Sequence, residues 1–99
     1  MMRYEVEKLV IENVRALAND FGLKELNEVD AQTRLYGEKS LLDSTALVSL
    51  IADIEEAVFD HSGKEIILAD ERAMGMRRTP FARVETLTDH IMQLLHEEE

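Results

Sequence analysis

Ser44 is the residue in this chain whose neighbours could give it a chemical task. The stretch Leu41-Leu42-Asp43-Ser44 runs directly into Thr45-Ala46-Leu47-Val48-Ser49-Leu50-Ile51-Ala52-Asp53-Ile54-Glu55-Glu56. A hydroxyl preceded by a carboxylate thus stands at the start of an amphipathic helix with an acidic outer face. Such a hydroxyl has two uses. It can cap the helix, because a serine or aspartate oxygen accepts a hydrogen bond from an otherwise unpaired first-turn N–H. It can also be an attachment point, because that same turn offers N–H groups and positive dipole character to a phosphate ester. A nucleophile is a third use, but it needs a base and an oxyanion site. The chain has no Gly-x-Ser-x-Gly elbow, and His61, His90 and His96 are read as lying at segment ends with no spacing that implicates them. No catalytic residue is expected, and the protein is read as a non-enzyme.

Metal chemistry has no better support. His90 and His96 are six apart and point to different faces of a helix, and no loop alternates acids around a central glycine. No metal ligand is therefore assigned. The chain has no cysteine, which excludes disulfides, thiolate nucleophiles and sulfur-ligated metals. Any sulfur chemistry must be borrowed.

The elements that would position Ser44 follow from apolar spacing. Val6, Val10, Val14 and Leu17 recur at four, four and three, predicting a helix from Tyr4 to Ala18 with Phe21 closing its stripe and Gly22 as its C-terminal cap. Residues 22 to 43 have no long periodicity but keep Leu23, Leu26, Val29, Leu35, Leu41 and Leu42, so this long loop is expected to be pinned to the core. Asp30 is placed to cap a short turn through Thr33 to Leu35, and Gly37 offers a break. The motif helix is expected from about Ser44 to Phe59, with Leu47, Leu50, Ile51, Ile54 and Val58 inward, Asp53, Glu56 and Asp60 outward, and His61-Ser62-Gly63 as its stop. Ile66-Ile67-Leu68 and a short helix around Asp70 to Met74 follow, bounded by Gly75 and Pro80. A last helix from Val84 to His96 carries Val84, Leu87, Ile91 and Leu94. The expected fold is all-α: a small antiparallel bundle of three main helices plus one short helix, with a long first loop, in a single domain over 1–99 whose core is about 4–96.

Composition limits the partners. Of 99 residues, 21 are acidic and 11 are Lys or Arg, giving a net charge of -10. That charge repels nucleic-acid backbones and anionic lipid, and it favours a monomer that meets basic partners. No apolar run near the N-terminus has the length of a signal or a membrane span, so a cytoplasmic location is expected. Aromatics are only 5%, so the core must be aliphatic.

Taken together, the Asp43-Ser44 pair, the apolar-periodic helix with its Glu55-Glu56 pair, and the closing Val84-x-x-Leu87-x-x-x-Ile91 pattern resemble the acyl carrier protein family, across roughly residues 5 to 95. That resemblance implies a carrier protein without activity of its own. Ser44 would bear a 4′-phosphopantetheine arm derived from coenzyme A, and Asp43 would help a phosphopantetheinyl transferase recognise the site. The arm would hold acyl intermediates as thioesters for fatty-acid, polyketide or related lipid synthesis. Asp53, Glu55, Glu56, Leu47 and Val48 would meet synthases, ligases or transferases with basic docking patches. Leu47, Leu50, Ile51, Ile54, Ile66 and Leu87 could line an acyl slot in the bundle, although ordinary core packing is the stronger reading of them.

The chain departs from the family pattern in ways that point to a specialised member. Leu41 and Thr45 stand where glycine and leucine are usual, and Ala46 and Ser49 stand where acids are common. Five of the basic residues, Lys64, Arg72, Arg77, Arg78 and Arg83, fall within twenty positions. The Leu-Leu-Asp-Ser form is also similar to D-alanyl carriers, which leaves an aminoacyl cargo open. An acidic helical interaction module, with Ser44 only a cap, explains composition and periodicity equally well.

Overall fold

The computed structural model describes residues 2–22, 29–35, 44–68 and 81–97. They form three helices: α1 (Arg3–Phe21), α2 (Ser44–Ser62) and α3 (Val84–Glu97). α1 packs against both α2 and α3, and the described residues contain no strand. The radius of gyration is 12.6 Å, close to the ~13 Å of a compact chain of 100 residues. The expected short helix around residues 70–74, together with Gly37 and Asp43, lies outside the described residues.

Both ends of α1 and the end of α2 are set by nearby residues. At the start of α1 the Glu5 carboxylate reaches back to accept the Met2 N–H at 2.9 Å, one half of a capping box. α1 ends at Gly22, whose φ of 69° places it in the left-handed region and whose N–H is directed at the carbonyls of Ala18 and Asn19. α2 runs one turn beyond the expected Phe59. Gly63, at φ 73°, ends it by donating to the Phe59 carbonyl at 2.8 Å, while the Ser62 hydroxyl donates to the Val58 carbonyl and accepts the Lys64 N–H. Gly22→Ala tests the first of these stops. A Cβ there would meet nothing within 4 Å, so the whole cost is the left-handed backbone. Urea unfolding should register a loss of about 1 kcal/mol, and no loss at all would show that the left-handed cap is not needed.

α3 is capped by a distant part of the chain. Thr33 and Ala31 give their carbonyls to the N–H groups of Val84 (3.1 Å) and Glu85 (2.9 Å), and Leu35 donates to the Ala82 carbonyl at 2.7 Å. This makes one antiparallel bridge between Arg34 and Arg83. Thr86 Oγ1 accepts the Arg83 N–H from within the helix. The described part of the first loop is pinned as expected. Val29 and Leu35 are buried, and Asp30 closes a turn by accepting the Gln32 N–H on its side chain and the Thr33 N–H on its carbonyl.

The core is aliphatic. Val6, Leu9, Val10, Val14, Leu17 and Ala18 of α1 meet Leu47, Leu50, Ile51, Ile54 and Val58 of α2 and Val84, Leu87, Ile91 and Leu95 of α3. Burying side chains of this size contributes roughly 1.5–3 kcal/mol each, enough to offset the ordering of short helices that are marginal alone. Two expectations are corrected here. Phe21, the last residue of α1, does not close its stripe but is 45% exposed. Leu95 rather than Leu94 takes the last core place of α3, and Leu94 packs half-buried against its edge.

Candidate functional site

Ser44 is the first residue of α2. The first turn of that helix holds no acidic residue, whereas the first turns of α1 and α3 hold Glu5 and Glu85. Behind Ser44 the helix divides into two faces. Ala46, Leu47, Leu50, Ile51, Ile54 and Val58 are buried, and Thr45, Val48, Ala52, Asp53, Glu56, Phe59 and Asp60 are exposed. The exposed face therefore mixes carboxylates with apolar side chains, Val48 being 66% exposed one turn beyond Ser44. No Lys or Arg occurs anywhere in α2, so the face has one sign of charge.

The candidate partner residues do not all share that face. Asp53, Glu56 and Val48 do. Leu47 is buried and belongs to the core. Glu55 is half-buried, and its Oε2 accepts the backbone N–H of Leu68 at 2.9 Å. Asp43, the candidate recognition residue, lies outside the described residues.

The backbone of Leu68 has a second holder. The His90 Nε2 is 3.1 Å from the Leu68 carbonyl. A carbonyl only accepts, so Nε2 is the donor in this contact. His90 is buried within α3 rather than at a segment end, and its ring meets Phe81 edge to face with centroids 6.2 Å apart. Leu68 is itself fully buried, so a side chain from α2 and another from α3 hold the two peptide groups that flank one buried residue. Sequence spacing gave one hint of this. His90 sits three residues after Leu87 and one before Ile91, on the edge of the buried stripe.

Phe59 and Ile67, 51% and 65% exposed, face a cleft of about 540 Å³ that is also lined by Glu55, Glu56, Glu65 and Ile66. A second, smaller hollow of about 310 Å³ lies among Tyr4, Glu5, Lys8, Leu9, Glu12 and His61. Among the described residues, no three or more His, Asp or Glu side chains are grouped to hold a metal ion. No described helix is long and apolar enough to cross a membrane.

Fold and site together define a small all-α domain with a serine at the start of a helix whose outer face is acidic and free of lysine and arginine. Comparison with protein-family models, with curated proteins and with solved structures finds no match.

Proposed function

We propose that this protein is a carrier domain, with 4′-phosphopantetheine joined to Ser44, that takes acyl intermediates to partner enzymes and catalyses nothing itself. The observation that carries the reading is the position of Ser44 as the first residue of α2, immediately after the Leu41-Leu42-Asp43 run that resembles the carrier motif. A phosphodiester at that oxygen would lie beside the positive end of the helix dipole, with no first-turn carboxylate to repel it. When bound, the group would supply the thiol that the cysteine-free chain lacks, holding cargo as a thioester. In its attachment an oxygen–phosphorus bond forms at Ser44, the pyrophosphate link of coenzyme A breaks, adenosine bisphosphate leaves, and the hydroxyl proton passes to the transferase.

The remaining residues would serve presentation. The buried face of α2 anchors Ser44 to the core through Leu47, Leu50 and Ile54. Val48, Asp53 and Glu56, exposed on the other side, offer an apolar contact and two carboxylates to an enzyme with a basic patch. Charge of one sign speeds such an encounter and leaves it sensitive to salt. Lipid synthesis is the setting the motif favours, and the departures at Leu41, Thr45, Ala46 and Ser49 favour a specialised cargo.

Intact-mass measurement tests the proposal. After incubation with coenzyme A and a broad-specificity phosphopantetheinyl transferase, the protein should gain the mass of one phosphopantetheinyl group. Ser44→Ala should gain nothing. Wild-type protein left unmodified, while a known carrier is converted in the same tube, would overturn the carrier reading in favour of an interaction module with Ser44 as a cap.

A further inference from the structure

The bridge beside the start of α3 puts two like charges next to each other. Arg34 and Arg83 are its paired residues. The backbone bonds on either side of them run from the Leu35 N–H to the Ala82 carbonyl and from the Val84 N–H to the Thr33 carbonyl. Arg34 and Arg83 are thus a non-hydrogen-bonded antiparallel pair, the kind whose Cα atoms approach to about 4.5 Å and whose side chains leave on one face. We propose that this arginine pair is a binding site for a doubly charged phosphoryl group, and that the bound group tightens the cap of α3. The carrier reading uses neither residue, so the two proposals stand or fall separately.

The pair is costly as it stands. Like charges directly opposite each other on a ladder repel, and the chain has 21 acidic residues but only 11 Lys or Arg, so a pairing of opposite charges would be the commoner outcome. Nor does the protein satisfy the two guanidiniums. Arg34 is exposed and makes no ion pair among the described residues. Arg83 lies 3.5 Å from Gln32 Oε1 and 3.7 Å from Glu85 Oε1, both longer than the roughly 2.7–2.9 Å of a charge-assisted bond. Glu85 is engaged elsewhere, since its Oε2 accepts the Gln32 side-chain N–H at 2.7 Å. The N–H groups of Val84 and Glu85 are already held by Thr33 and Ala31, which leaves the guanidiniums to do the binding.

Charge and shape select the ligand. A carboxylate has one charge and two oxygens, and a single guanidinium fork satisfies it. A phosphate monoester or inorganic phosphate carries close to two charges at neutral pH and at least three acceptor oxygens, which suits two forks on one face. A nucleic acid is a poor fit, because the net charge of -10 repels a long polyanion. An anion that spans Arg34 and Arg83 binds only while the bridge is closed, so by linkage it stabilises the closed form. The carbonyls of Thr33 and Ala31 are then held more firmly against the first turn of α3.

The test titrates the full ¹⁵N-labelled chain with inorganic phosphate and, separately, with glycerol 3-phosphate. Acetate and chloride at matched ionic strength are the controls. Amide shifts should centre on residues 33–35 and 82–85 with both phosphoryl probes and not with the controls. The Leu35 and Val84 amides should exchange about tenfold more slowly once phosphate stands at ten times its Kd, as binding to the closed form alone requires. Arg34→Gln and Arg83→Gln leave the backbone bonds of the bridge in place and should each weaken binding about tenfold. In phosphate-free buffer Arg34→Gln should be at least as stable as wild type, because it relieves the repulsion. Tighter binding of the ester would assign the site to a phosphorylated molecule, and equal or weaker binding to free phosphate. An equal response to acetate, unchanged affinity in the Gln variants, exchange that does not slow, or an Arg34→Gln protein less stable than wild type without phosphate would each overturn the proposal.

Discussion

Ile54→Ala should cost about 2–5 kcal/mol of folding stability, the largest single effect expected of a conservative truncation in α2. Ile54 is fully buried near the middle of the helix, with Leu50 and Val58 on the same face and also fully buried. Removing three carbons there leaves a void that neighbours on both sides are too constrained to fill, so the lost contacts add to the lost transfer energy. At about 4–8 °C per kcal/mol for a domain of this size, the midpoint of thermal unfolding should fall by roughly 10 °C or more. Ile54→Val, which removes one methyl group, should cost only about 0.5–1.5 kcal/mol. If calorimetry found Ile54→Ala as mild as Ile54→Val, α2 could not be packed on α1 as described.

The second large effect concerns Leu68, whose backbone is held from two sides. His90→Leu keeps an apolar body but removes the donor to the Leu68 carbonyl, and Glu55→Ala removes the acceptor for the Leu68 N–H. A buried backbone group without a partner costs about 1–3 kcal/mol, so each variant should lose stability in that range. His90→Leu should lose the more, because the edge contact with Phe81 disappears with the imidazole. Both jaws act on one segment, so once either has let go the other has less to hold. The double variant should therefore fall short of the sum by more than about 0.5 kcal/mol, the margin within which independent sites add. Denaturant titration of the four proteins decides this, and strict additivity would mean that the two bonds do not share a mobile element.

Much of the scaffold was legible in the sequence because it is written in local periodicity. The valines of α1 at positions 6, 10 and 14, and the Leu47, Leu50, Ile54, Val58 stripe of α2, fall on the buried sides expected of them. Gly22 and Gly63 stop their helices with the positive φ that glycine tolerates. Errors came where a stripe meets a helix end. At Phe21 and at the Leu94-Leu95 pair a single residue's rotation decides between core and solvent, and periodicity does not resolve a step of that size. Surface and interior also divided less cleanly than charge suggested. Glu55 belongs to a run that reads as acidic exterior, yet its carboxylate serves Leu68, thirteen residues on. Nothing within a helical window of Glu55 announces a partner beyond the helix.

The candidate site was legible in a different way. Ser44 was found by motif, and the expected helix start falls on that residue. Val48 and Glu56 follow from helical spacing, whereas Leu47, grouped with them by proximity in sequence, faces inward. The cleft was not legible, because it forms between α2 and a segment without periodicity of its own. Ile66-Ile67-Leu68 reads as one apolar run, but Ile66 and Leu68 are buried while Ile67 between them is exposed.

The seam between residues 31–35 and 82–85 has a consequence for how the molecule assembles. Its backbone bonds join positions about fifty residues apart, and they supply acceptors that the opening turn of α3 would otherwise seek from water. Neither stretch is complete without the other, since residues 31–35 supply the cap of a helix that begins at Val84. The protein must then gain or lose its order as one unit, at a rate governed by closure of that long loop rather than by the quick winding of any single helix.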